Sequence, residues 1–340
     1  MPPQKAGRKW RFCVKENGIK RWVSYTDYDE CLEAWSKYIN RTKAEPVMEV
    51  QIQAIEEYTD VDSLWQFVEA NQESVRVDIP RIHMPNKPFA LAFVSDLHLG
   101  ASGTDYKAIK RDTETIANTD GMYAIFHGDG IDNWILPKMQ GLQRKQLVPF
   151  DMEIALFSAW IKEISPKLLC VVAGNHDNWT KKMSGFDLLQ NITPPDVLYD
   201  EHQVLFDLMW GTNKIRFAVR HHWRGSTQAN PTGGMEKASK EIDADVFIAG
   251  HTHIGTLFRS FISRGKDRIG VLTGTYKHND EYARELGFTP SHHSGCGAVV
   301  IDVDGSMTWI RNLDEAARYL KFKQQEYLDG QTKKDQRGAS

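Results

Sequence analysis

Five short polar clusters, each closing an apolar run, carry the residue types that bind metal ions. FALAFV runs into Ser95-Asp96-Leu97-His98, and MYAIF into His127-Gly128-Asp129-Gly130-Ile131-Asp132. LLCVVA precedes Gly174-Asn175-His176-Asp177, IRFAV precedes Arg220-His221-His222, and DVFIA precedes Gly250-His251-Thr252-His253. A dinuclear hydrolytic centre needs imidazole, carboxylate or amide donors, one oxygen that can bridge the ions, and open positions for water and substrate. Asp96 and His98, two apart at a strand end, lie on one side of an extended chain and can chelate one ion. Asp129 can bridge. Asn175, one of the pair His221/His222, and His251 can complete the second ion, while His253 turns back to the first. Gly128, Gly174 and Gly250 beside these residues permit tight turns. A lone Asp or His at such a place reads more readily as a cap or a solvated side chain than as a ligand. Recurrence at five ordered strand ends points instead to a metal centre.

The runs that carry the clusters are almost continuously apolar and alternate with helix-like stretches such as MEIALFSAWIKEI after Asp151. That pattern predicts an α/β domain whose strands are covered on both faces, with ligand-binding groups gathered at the strands' carboxyl ends. Upstream, WRFCVKENGIKRWVSY over residues 10–25 reads as a hairpin turned at Asn17-Gly18. Asp27 or Asp29 then caps a helix reaching about Asn40, with Leu32, Trp35 and Ile39 near helical spacing. DVDSLWQFVEANQ reads as helix, SVRVDIPRI as a short strand, and Pro80, Pro85 and Pro88 as a linker. The expected organisation is a basic ββα unit over 1–44, a connecting α/β segment over 45–85, the metal-bearing domain over 86–314, and a C-terminal helix with a polar tail over 315–340.

A chain of 340 residues with 26% charged and 41% hydrophobic residues and a formal net charge of -3 has the composition of a soluble globular protein, neither disordered nor globally basic. Cys13, Cys31, Cys170 and Cys296 are scattered and form no CxxC pair, which speaks against a zinc ribbon or a disulfide framework. The opening MPPQKAGRKWRF lacks the apolar stretch of a secretion signal, and no run approaches the roughly 20 apolar residues of a membrane span. A cytoplasmic protein without membrane contact is expected; oligomeric state is not readable. Basic residues do cluster locally: Lys5, Arg8, Lys9, Arg11, Lys15, Lys20 and Arg21 stand against Glu16 alone, interleaved with Trp10, Phe12 and Trp22. Phosphate attraction with base stacking suits that composition, as does a charged edge that resists aggregation. His278, His292 and His293 read as surface histidines or as the border of a substrate pocket, and Arg220 and Arg224 as candidate phosphate-binding arginines.

In order, DLH, GDGID, GNHD, a strand-end His and GHTH resemble the five motifs of calcineurin-like metallophosphoesterases, over about residues 89–310. The resemblance implies a metallophosphoesterase-type β-sandwich flanked by helices, here with a small N-terminal α+β domain, and a dinuclear site at one edge. It assigns Asp96, His98, Asp129 and His253 to one metal, and Asp129, Asn175, His221 and His251 to the other. His222 is the alternative to His221; the usual place of this ligand just after its strand favours His221. His176 matches the family's catalytic histidine and Asp132 the residue that orients it. Members acting as Ser/Thr protein phosphatases usually carry Arg after GDxxD, whereas Asn133 follows Asp132 here. The HHW and GHTH context is similar to the phosphodiesterase and nuclease-like branches. The implied reaction is hydrolysis of phosphodiesters, DNA or RNA among them, by a metal-bound hydroxide, with two divalent ions: Mn first, with Fe, Zn or Ni also suited. A small-molecule phosphomonoesterase, a cyclic-nucleotide phosphodiesterase, and a nucleic-acid-binding protein with a vestigial metal site are the alternatives.

Overall fold

A computed structural model describes residues 4–6, 9–16, 19–43, 60–71, 79–137, 140–143, 146–227, 229–278 and 295–338. The chain divides into two compact units, Met1–Val77 and Asp78–Ser340.

The first unit holds a three-stranded antiparallel sheet, β1 (Gln4–Ala6), β2 (Lys9–Glu16) and β3 (Ile19–Tyr25), in that order, and two helices, α1 (Tyr28–Lys43) and α2 (Val61–Asn71). Hairpin register pairs Trp10 with Tyr25, Phe12 with Val23 and Cys13 with Trp22; the Asn17-Gly18 turn lies outside the described residues. Alternation then puts Trp10, Phe12, Val23 and Tyr25 on one face, where they pack with Cys31, Ala34 and Trp35 of α1. Asp27 starts α1, its Oδ1 accepting the N–H groups of Asp29 and Glu30 at 2.9 and 3.0 Å.

The second unit is a sandwich of two mixed six-stranded sheets with helices outside. One sheet runs β15 (Met307–Ile310), β14 (Cys296–Ile301), β5 (Phe89–Val94), β6 (Met122–Phe126), β7 (Leu168–Val172), β8 (Leu198–Asp200). The other runs β12 (Leu257–Ser263), β13 (Lys266–Leu272), β11 (Val246–Ala249), β10 (Asn213–Val219), β9 (Val204–Trp210), β4 (Arg81–His83). FALAFV shows why such runs are apolar throughout. Phe89, Leu91 and Phe93 enter the core between the sheets with Phe206, Phe217 and Ile248, while the smaller Ala90, Ala92 and Val94 face the helices. Those helices are α3 (Tyr106–Asn118), α5 (Phe150–Ile164) and α9 (Leu313–Gly338), which contribute Ile116, Phe157 and Leu320. The short α4 (Gln140–Gln143), α6 (Asn175–Ser184), α7 (Leu188–Ile192) and α8 (Gly233–Ala238) lie in the connections.

Two expected boundaries move. Arg81–His83 is not linker: β4 pairs in parallel with Asp207–Met209 of β9, so the second unit starts before residue 86. The C-terminal segment is a helix through Gly338 whose Leu313, Ala316 and Leu320 are buried against the sheet.

Candidate metal centre

β5, β6 and β7 are parallel neighbours, as are β10 and β11, so all five polar clusters leave carboxyl ends of strands. Parallel pairing continues into the loops: Asp96 N–H donates to Gly128 O at 2.9 Å, His98 N–H to Asp129 O at 3.1 Å, and Gly250 N–H to His221 O at 3.0 Å. The loops turn sharply. Of the seven described non-glycine residues with positive φ, six lie here: Asp96 (52°), His98 (46°), Asp129 (57°), Asn133 (51°), His251 (69°) and His253 (53°). Left-handed backbone on non-glycine residues is strained, and its concentration marks a functional site. Gly174 answers a different need from the one expected. Its backbone is extended (φ -89°, ψ -179°), and what requires glycine is proximity, since a Cβ there would overlap the carboxylate and backbone of Asp129.

The folded chain brings Asp96, His98 and His253 into one cluster of donor atoms, and Asp129, His221 and His251 into a second. His253 Nε2 lies 3.0 Å from Asp96 Oδ1 and 3.2 Å from His98 Nε2. His221 Nε2 lies 3.1 Å from Asp129 Oδ2 and 3.3 Å from His251 Nδ1. Asp129 Oδ2 is also 3.9 Å from His98 Nε2, which sets this carboxylate between the clusters. His221 takes the place beside Asp129; the His222 ring lies tilted against that of His251, centroids 4.8 Å apart. Asn175 Oδ1 is buried with no hydrogen-bond partner.

This donor set fits two divalent ions. Nitrogen and oxygen donors converge in two groups around a shared carboxylate, and an orphaned amide oxygen stands beside them. Neighbours also orient the imidazoles. His98 Nδ1 meets Asp132 Oδ1 at 2.9 Å, and His221 Nδ1 meets the His127 carbonyl at 2.8 Å. Each partner accepts a hydrogen bond from Nδ1–H and leaves Nε2 as the atom that can ligate a metal. Burial pushes His98 down to about 4, so it is neutral near pH 7. Burial also disfavours charge on His221, but Asp129 beside it prevails and raises it to about 10.

Asp132 acts through two different atoms. Its carbonyl meets His176 Nδ1 at 2.5 Å, whereas its carboxylate is turned to His98 and receives further bonds from Trp134 Nε1 (2.5 Å), Gln146 Nε2 (2.8 Å) and Lys277 Nζ (2.7 Å). Burial favours the neutral acid, yet Lys277 and His98 hold Asp132 well below the usual carboxylate range. Lys277 is itself buried and lies over the Trp134 ring at 5.2 Å. His176 is flanked by Trp179 and Trp134, ring centroids 4.0 and 5.1 Å away, and its Nε2 is 4.0 Å from Asp129 Oδ2. Asp177 ties the loops together, its carboxylate accepting N–H bonds from Asp129 (2.7 Å), Gly130 (3.0 Å) and Gly174 (2.8 Å).

No sequence motif singles out Lys277, Gln146 or Trp134. Asp177 stands inside GNHD, but two of its three bonds depend on a second loop. Arg220 lines the cavity beside the second cluster; Arg224 is exposed and does not. His278 lies 3.8 Å from Asp105, and His292 and His293 fall outside the described residues.

No protein-family model and no curated protein matches the chain. Among solved structures it is similar to a single-site mutant of Vps29 from Entamoeba histolytica, at 10% identity and TM-score 0.35, covering 66% of this chain and 98% of that one. It is similar to Vps29 from Chaetomium thermophilum at 14% identity and TM-score 0.32, covering 65% and 93%. The calcineurin-like phosphoesterase YfkN from Bacillus subtilis aligns at 12% identity and TM-score 0.28, covering 72% and 99%. Likenesses this slight transfer neither activity nor ligand. Among the described residues no helix is long and apolar enough to cross a membrane.

Proposed function

We propose that this chain is a calcineurin-like metallophosphoesterase that hydrolyses phosphodiesters, DNA or RNA among them, using two divalent ions with manganese the first choice. The observation that carries this is Asp129 Oδ2, within 3.1 Å of one imidazole cluster and 3.9 Å of the other, at the edge where five strands end. Asp96, His98 and His253 would hold one ion, Asn175, His221 and His251 the other, with Asp129 shared. When bound, the ions supply a water of lowered pKa and positive charge against the phosphoryl oxygens. His176, with Nδ1 engaged by the Asp132 carbonyl, presents Nε2 to protonate the leaving oxygen. Trp134 and Trp179 keep its ring in place and exclude water from one side. A cytoplasmic setting and nucleic-acid contact through the basic N-terminal sheet belong to the same proposal.

Turnover of metal-stripped protein, before and after Mn²⁺, tests it on bis(p-nitrophenyl) phosphate, p-nitrophenyl phosphate, cyclic nucleotides and oligonucleotides. Mn²⁺-dependent hydrolysis that favours diesters is expected. His176→Ala should lower oligonucleotide turnover about 10²–10⁴-fold while metal content is retained. Two bound ions with no turnover of any ester would leave a vestigial centre, and preference for the monoester or a cyclic nucleotide would reassign the substrate.

A further inference from the structure

One half of the centre opens into a cavity. A cavity of about 550 Å³ is lined by Asn175, His221 and His251 but by none of Asp96, His98 and His253. From there it extends along α6 and the turn after β8, past Asn178, Lys181, Lys182, Glu201 and His202, with Arg220 and His222 also in its wall. A single phosphate fills a small part of such a space, which lies within the roughly 300–1,000 Å³ typical of sites for whole small molecules.

The cations in this wall differ in how they are used. Lys181 is spent internally, pairing with Glu201 and with Asp187 at 3.1 Å. Arg220 and Lys182 have no carboxylate partner among the described residues. Arg220 is nevertheless not loose, because its guanidinium lies over the Trp223 ring with 5.2 Å between centres. Trp223 is buried and fixed by its Nε1 bond to the Ile248 carbonyl at 2.9 Å. Stacking holds a guanidinium in place while leaving its planar fork of N–H donors free, the arrangement that suits bidentate binding of a phosphate.

Resting on the phosphodiesterase reading, we propose that this cavity is a second-phosphate subsite. Arg220 and Lys182 bind a further phosphate of the substrate, beyond the one being hydrolysed, as it leaves the Asn175/His221/His251 side along α6. The preferred substrate class is therefore a phosphodiester bearing at least one additional phosphate, either on a compact nucleotide or as the next link of a strand.

Three substrates separate the possibilities in the Mn²⁺-loaded enzyme: bis(p-nitrophenyl) phosphate with one phosphate, thymidine 5′-phosphate 3′-(p-nitrophenyl phosphate) with two on one nucleoside, and hexathymidylate. In Arg220→Gln/Lys182→Gln, KM for both multi-phosphate substrates should rise at least about tenfold more than KM for the simple diester, with kcat little changed. Binding of labelled hexathymidylate to metal-free protein, read by anisotropy against salt, should fall by about 0.7 in log–log slope for each phosphate that is no longer neutralised. An effect on hexathymidylate alone would assign the second phosphate to the next link of a strand, and one shared by the nucleotide diester to any additional phosphate; equal effects on all three substrates, or none on either multi-phosphate substrate, would overturn the subsite. Failure of wild-type protein to hydrolyse any diester would sink the phosphodiesterase reading instead, and the metal-free salt slope would still report on Arg220 and Lys182.

Discussion

At the scale of single residues, the histidines of this centre differ in what a metal ion must displace. His98 is neutral near pH 7, held at about 4 by burial, so it would ligate without losing a proton. His221 is raised to about 10 despite its burial, because Asp129 faces it at 3.1 Å. Since its folded value lies above the ordinary 6.5, this ion pair stabilises the metal-free chain fully below pH 6.5 and its contribution disappears as pH rises through about 10. A metal ion bound there would replace the Nε2 proton. Binding near pH 8 should therefore release about one proton, and apparent Mn²⁺ affinity should climb about tenfold per pH unit between pH 7 and 9. Calorimetric titrations in two buffers of different ionisation enthalpy measure this directly. His221→Ala should bind more weakly and with a flatter pH dependence; a wild-type titration with no proton uptake by buffer would contradict the ion pair.

At the scale of elements, the start of α6 is where two ligand loops press together. Gly174→Ala would drive a Cβ into Asp129, whose carboxylate is shared between the clusters. A destabilisation of about 1–3 kcal/mol is expected from such overpacking, with a large loss of Mn²⁺ affinity. Gly185→Ala at the other end of α6 is the control, since its φ of 74° is strained for alanine but nothing lies within 4 Å of the added carbon. It should cost about 1 kcal/mol, seen in thermal unfolding, and leave metal affinity intact. A metal affinity untouched by Gly174→Ala would show that the loops yield. The same elements explain what could be read beforehand. Strand ends were legible because a strand buried on both faces is an unbroken apolar run, so the first Asp, His or Asn after it stands out. β4 was legible only in part: the strand read from SVRVDIPRI reaches Arg81 and Ile82, though residues 74–78 of that run lie outside the described residues, while the flanking prolines read as linker and the place beside β9 is tertiary. The buried stripe Leu313, Ala316 and Leu320 was hidden among charged neighbours. Lys277 carries no local signal at all, since its partners Asp132 and Trp134 lie over 140 positions away in sequence.

At the scale of the whole molecule, the proposed function predicts separable activities for the two units. On the sheet of the first unit, α1 packs against one face, and Lys9, Arg11, Trp22 and Ser24 are exposed, with Arg11 4.5 Å over the Trp22 ring. Replacing Lys9, Arg11, Lys20 and Arg21 by Ala should weaken polynucleotide binding and reduce the log–log salt slope by about 0.7–0.9 for every phosphate these side chains neutralise. Turnover of bis(p-nitrophenyl) phosphate, carried by the second unit, should persist. An unchanged salt slope in a folded variant would leave the basic sheet as a solubility device. The second unit bears a burden of its own. Asp96, His98, Asp129, His251 and His253 all hold left-handed backbones, at a cost of order 1 kcal/mol apiece against a typical total stability of about 5–15 kcal/mol. Glycine at any of them would relax the loop and remove a donor in one step. Selection for robustness alone would therefore erode this centre, and its ligand positions would drift toward glycine first. Asp and His at all five positions therefore weigh against the chain's own folding.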